Sequence, residues 1–174
     1  MKMLKRVFFL FLAIGISVQV SMAQNYKFGH INSEELIKRM PEFDSAMIKI
    51  ENFRKELIGY LDAMSVEFNN KTDAYNKESK SLSEIVRQIK EQELIDMNRR
   101  IQEFQSTAQS QFQEKQAELL QPVYSKVEKA IKDVGKENGY LYIFNTADGG
   151  TLTYFDESKS SDVTELVKTK LKLK

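Results

Sequence analysis

The chain has 174 residues, 29% of them charged and 41% hydrophobic, with a formal net charge of +1, one histidine and no cysteine. Its length suits one domain, and its charge balance excludes a basic nucleic-acid binder. Without thiols it can form neither a disulfide nor the acylated N-terminal cysteine of a lipoprotein.

Lys2, Lys5 and Arg6 precede an apolar run of fourteen residues, Val7 to Val20. That run is shorter than the ~20 residues of a comfortable membrane span. Ser21-Met22-Ala23 then supplies small residues where a signal peptidase reads. We expect a signal peptide over residues 1–23, cleaved after Ala23, and an exported protein beginning at Gln24. Cleavage removes three basic residues and no acidic one, so the mature net charge is −2.

Tyr26 to Ile31 alternates in the manner of a short strand. Asn32 or Ser33 can cap a brief helix through Met40, with Glu34 and Glu35 at the positive end of its dipole. Pro41 is well placed to open the next helix. From Phe43 onward, apolar residues recur about every three and a half positions. One row is Phe43, Ile50, Leu57 and Met64; the other is Met47, Phe53, Tyr60, Leu61, Phe68 and Tyr75. Such spacing is the seam of a left-handed supercoil. Lys71 and Glu78 interrupt it.

Glu78 to Glu84 is a polar break, with Ser81 and Ser83 as alternative caps for a new helix. The return helix carries Ile85, Ile89, Leu94, Met97, Ile101, Phe104, Ala108, Phe112, Leu119, Val123, Val127 and Val134, and Pro122 is expected to kink it. Pro41–Lys80 and Ser83–Gln121 span forty and thirty-nine residues, so each arm is about 60 Å long at ~1.5 Å per residue. Matched arms meeting at a tip make an antiparallel hairpin. Gly139 can end the return helix. Tyr140–Asn145 and Thr151–Phe155, joined by Asp148-Gly149-Gly150, read as a β-hairpin. A last amphipathic helix begins at Thr164 and carries Leu166, Val167 and Leu171.

The expected fold class is α+β: a small three-stranded β body, residues 24–40 and 123–174, with a long helical hairpin arm over 41–122. A body of about 67 residues has little core of its own. We therefore expect an oligomer, with Phe28, Ile31, Tyr140, Tyr142, Phe144 and Tyr154 at the interface.

Catalytic chemistry has little to stand on. His30 is the only histidine and reads as a structural or surface residue rather than a metal ligand. No Gly-rich phosphate loop, Gly-x-Ser-x-Gly elbow or His-Glu-x-x-His pattern occurs. Asp148-Gly149-Gly150 lacks the later ligands of a calcium loop. No enzymatic activity, metal or cofactor is expected. The arm is more informative. Two helices cover only part of the rings along their seam, and apolar surface left exposed marks an interaction site. Phe53, Met64, Phe68, Tyr75, Met97, Phe104 and Phe112 are the candidate client contacts; their simpler role is coiled-coil core.

Several pieces carry a family resemblance. They are the opening strand Tyr26-Lys27-Phe28-Gly29-His30-Ile31-Asn32-Ser33, and Leu36 to Pro41. Gln116-Ala117-Glu118-Leu119-Leu120-Gln121-Pro122-Val123 follows, leading to Lys126-Val127-Glu128-Lys129-Ala130-Ile131. The last are Asn138-Gly139-Tyr140 and Asp162-Val163-Thr164-Glu165-Leu166-Val167-Lys168. In order and spacing these resemble the OmpH family of Skp-like chaperones. The resemblance implies a periplasmic homotrimer, with three helical arms around a cavity that holds unfolded outer-membrane proteins without ATP. The chain departs from basic-armed members. Phe43 to Gln121 holds eleven basic and fourteen acidic residues, a net of −3, which argues against lipopolysaccharide binding. The alternative reading is a structural coiled-coil spacer or adaptor of the cell envelope.

Overall fold

The computed structural model describes residues 26–147, 152 and 154–173. The expected signal peptide and the Asp148-Gly149-Gly150 turn lie outside the described residues. Strand β1 (Lys27–Ile31) leads into helix α1 (Ser33–Lys38). Asn32 caps α1, its side chain accepting from the Glu35 amide at 3.2 Å. Pro41 opens helix α2 (Pro41–Glu78), where its missing N–H would have had no helical partner anyway.

Helix α3 (Glu84–Glu137) starts from Ser83, whose hydroxyl accepts from the Val86 amide at 3.4 Å. Of the two expected caps, Ser83 is the one used. Ser81 instead donates to the Glu78 carbonyl at 2.8 Å and closes the turn. α3 continues through exposed Pro122 without interruption, so the expected kink does not end the helix there. It stops before Gly139, whose φ of +70° turns the chain into strand β2 (Tyr140–Asn145).

The sheet differs from the expected one. Its order is β2-β1-β3, all parallel, and β3 is only Ser161–Asp162. The described residues of the expected strand over 151–155, namely Leu152, Tyr154 and Phe155, are not in a strand. Alternation and a Gly-rich turn favour a local hairpin in the sequence, but pairing with the distant β1 fills that place. Helix α4 (Thr164–Leu171) closes the body, starting where expected.

A bulge between Lys27 and Phe28 pairs them with Tyr140 and Tyr142, skipping Leu141. The extra residue resets the alternation, so Tyr140 and Ile143 both pack against the core while Tyr142 and Phe144 stack with Phe28 on the other face. The core joins Ile31, Leu36 and Met40 to Val123, Val127, Ala130 and Val134 of α3 and to Val163, Val167 and Leu171. Residue 29 is glycine because three side chains converge on it. A Cβ there would lie 3.0 Å from Val163 Cγ1 and 3.2 Å from both Ile143 and Tyr140.

Candidate functional site

α2 and about the first four-fifths of α3 pack side by side in opposite directions. Pairs along the arm fix the register. Lys126 donates to Glu42 at the base, the Tyr60 and Phe104 rings lie 5.7 Å apart, Lys71 donates to Glu93, and the Tyr75 hydroxyl donates to Glu91. The sequence pattern thus specifies the pairing as well as the helices. Burial along the seam is uneven. Ala46 and Ile50 of α2 and Met97 and Ile101 of α3 are buried, Met97 being only 3% exposed. Met97, expected at the client surface, is therefore enclosed within the hairpin. Phe53, Met64, Phe68, Tyr75, Phe104 and Phe112 are half-buried, since each side chain has a helix on one side and solvent on the other.

Where Lys71 and Glu78 interrupt the apolar seam, polar links replace it. Lys71 also approaches Glu67 at 3.6 Å, and Lys90 approaches Glu78 at 3.8 Å. The Lys71 hydrogen bond holds the Glu93 carboxyl below its ordinary range, and the bond to Glu91 holds the Tyr75 phenol above its own. Exposed pairs of this kind are screened by solvent and contribute little to stability, so they align the tip more than they stabilise it. Nearer the middle of the arm, Ala108 is too small to fill its seam position. An open cleft of about 250 Å³ results, lined by Leu57, Ile58, Leu61, Gln105, Ala108 and Phe112.

The body offers a second surface. Phe28, Tyr142 and Phe144 form one aromatic patch, with ring centroids 6.0 to 6.4 Å apart. Tyr142 is 58% exposed. His30 follows on the same face, its ring 4.8 Å from Phe155 and its Nδ1 2.9 Å from the Ser160 hydroxyl. Of the other expected interface residues, Tyr154 is largely exposed in the segment before β3, while Ile31 and Tyr140 face inward. Ile31 is a core residue of the protomer. Tyr140 is half-buried, with the Lys27 ammonium 4.1 Å above its ring.

The family described as "Outer membrane protein (OmpH-like)" matches residues 27–171. That stretch runs from the first residue of β1 to the last of α4 and takes in both the arm and the aromatic face. The chain belongs to the OmpH family. No curated protein matches it. The OmpH family is one of periplasmic chaperones of outer-membrane proteins, not of enzymes, and the α+β fold with its helical hairpin is that of the family.

Within this OmpH chain, the most accessible apolar residues of the arm are not the candidate client contacts. They are Ile48, Ile58, Tyr60 and Val66 of α2 and Ile85, Ile89 and Ile95 of α3. Sequence reasoning passed over Ile48, Ile58, Val66 and Ile95 because they fall off the seam. The signal was present: these are aliphatic residues at positions where a solvated helix face carries polar ones.

Proposed function

We propose that this OmpH-family protein is an exported, ATP-independent holdase. It forms a homotrimer through its β body, residues 24–40 and 123–174, after removal of the signal peptide 1–23. The arms, residues 41–122, enclose unfolded outer-membrane proteins and keep them from meeting one another. The observation that carries this reading is apolar surface left open along both helices of the arm, half-buried rings beside exposed aliphatic residues. Weak contacts of this kind, made many times, suppress aggregation and still permit release. The aromatic patch of Phe28, Tyr142 and Phe144 supports assembly through the sheet. Phe53, Met64, Phe68, Tyr75, Phe104 and Phe112 supply client contacts from the seam.

The test is dilution of a denatured porin with and without the mature protein at stoichiometric trimer. Suppressed aggregation is expected, and Phe104→Ser and Phe112→Ser should weaken holding more than assembly. No suppression would favour the envelope spacer. The polar links at the tip are compatible with that second reading, because they keep the hairpin closed where its seam fails.

A further inference from the structure

The arm is not uniform in charge. From Leu57 to Val66 on α2 only Asp62 is charged, and from Phe104 to Gln113 on α3 nothing is. The Tyr60–Phe104 ring contact and the shared cleft lining place Leu57 to Leu61 of the first stretch beside Phe104 to Phe112 of the second. They form an uncharged belt midway along the hairpin. Charged residues crowd either side of it: Glu51, Arg54, Lys55 and Glu56, with Glu114, Lys115 and Glu118, toward the body, and Asp62 and Glu67, with Arg99, Arg100 and Glu103, toward the tip. Arg54 reaches the cleft rim, but its guanidinium is held by Glu51, with Nε and Nη2 each donating at 2.9 Å.

We infer that this belt is a binding site for uncharged, extended client segments rich in aromatic and branched aliphatic side chains. The inference rests on the holdase reading and specifies which part of the client it engages. Three features point to that occupant. The cleft of about 250 Å³ has room for one aromatic side chain. Ile58 and Tyr60, 45% and 65% exposed, extend its apolar surface along α2. Gln105 and Gln109 line the cleft with amides that both donate and accept, so they can satisfy an extended backbone in either direction. A charged client segment would lose its hydration here, a cost that grows with burial, and the one charged residue lining the cleft, Arg54, is already held by Glu51.

The test uses the mature protein and two capped peptides of equal length. One alternates tyrosine and valine with threonine; the other carries glutamate or lysine in place of the threonines. The uncharged peptide should bind, and both charged forms should bind at least tenfold more weakly. Ile58→Glu should weaken the uncharged peptide at least tenfold. Ile48→Glu and Ile95→Glu, more exposed aliphatic positions outside the belt, should change it less than threefold. Circular dichroism and sedimentation establish that each variant folds and assembles; Tyr60→Ser serves if Ile58→Glu does not. Equal binding of charged and uncharged peptides, or equal losses inside and outside the belt, would overturn the inference. Those results leave the holdase reading standing if the unaltered protein still suppresses porin aggregation. Failure of that suppression overturns the reading itself.

Discussion

Tyr142 gives the sharpest test of assembly through the sheet. Its ring stacks on Phe28 and Phe144 but is 58% exposed. A buried tyrosine accounts for about 200 Å², so roughly 120 Å² of this one remains to be covered by a neighbour. At about 25 cal/mol per Å², full coverage is worth about 3 kcal/mol, and half coverage about 1.5 kcal/mol. Tyr142→Ser should therefore raise the subunit dissociation constant between about tenfold and a hundredfold. The protomer should fold as before, because the core residues lie on the opposite sheet face. Sedimentation velocity over a dilution series reads the shift directly. Tyr60→Ser is the matched control, a tyrosine of similar exposure on the arm, and should leave assembly unchanged. If Tyr142→Ser assembles like the unaltered protein, the aromatic face is not the interface and the argument for it fails.

Two further outcomes concern the body. Val127, 1% exposed at the centre of the core, loses two methyl groups in Val127→Ala; at ~0.8 kcal/mol each plus a residual cavity, thermal or urea unfolding should show a loss of about 2–3 kcal/mol. Asp162 accepts from the Thr164 amide at 2.8 Å, and its bonds to Thr164 hold the carboxyl below its ordinary range. A depressed carboxylate contributes fully above its unfolded pKa and loses that contribution as pH falls through the folded value. Urea unfolding of the unaltered protein and Asp162→Asn should then differ by a constant amount from pH 7 to 5 and converge below about pH 4; a difference independent of pH would refute the assignment.

Much of this architecture is legible before folding. The heptad-like rows from Phe43 to Tyr75 and from Ile85 to Val134 specify two helices of matched length, and a seam of period near 3.5 has few other solutions. The caps at Asn32 and Ser83 and the turn at Gly139 are local chemistry, and local chemistry is readable. The sheet was harder. β3 has two residues, too few for any alternation, and its partner β1 lies more than 130 positions earlier. The Gly-rich turn signal after Asn145 pointed to a neighbour in sequence, whereas β2 and β3 both pair with β1. The bulge opposite Lys27 was invisible for a similar reason: it is a property of two strands in register, not of either alone. Inward-facing Ile31 and Tyr140 follow from that register. The enclosure of Met97 arises because a seam position can be sealed or open depending on the residues across from it.

Assembly and holding are coupled by simple arithmetic. Covering the remaining exposed part of Tyr60 is worth about 3 kcal/mol, and that of Ile58 and Val66 about 1 kcal/mol each, scaled from their exposure. One arm thus offers about 5 kcal/mol before the cost of immobilising a client, which is estimated at 4–15 kcal/mol. A single arm holds almost nothing on these terms. In the proposed trimer, three arms acting on one chain would meet that cost once and add their contacts, so avidity rises without any stronger single contact. Tyr142→Ser should then abolish porin holding at concentrations where it dissociates the oligomer, although no arm residue is touched. It should hold again when concentrated enough to reassemble. Porin aggregation measured beside sedimentation across one dilution series tests this, and holding by the dissociated variant would show that a lone arm suffices.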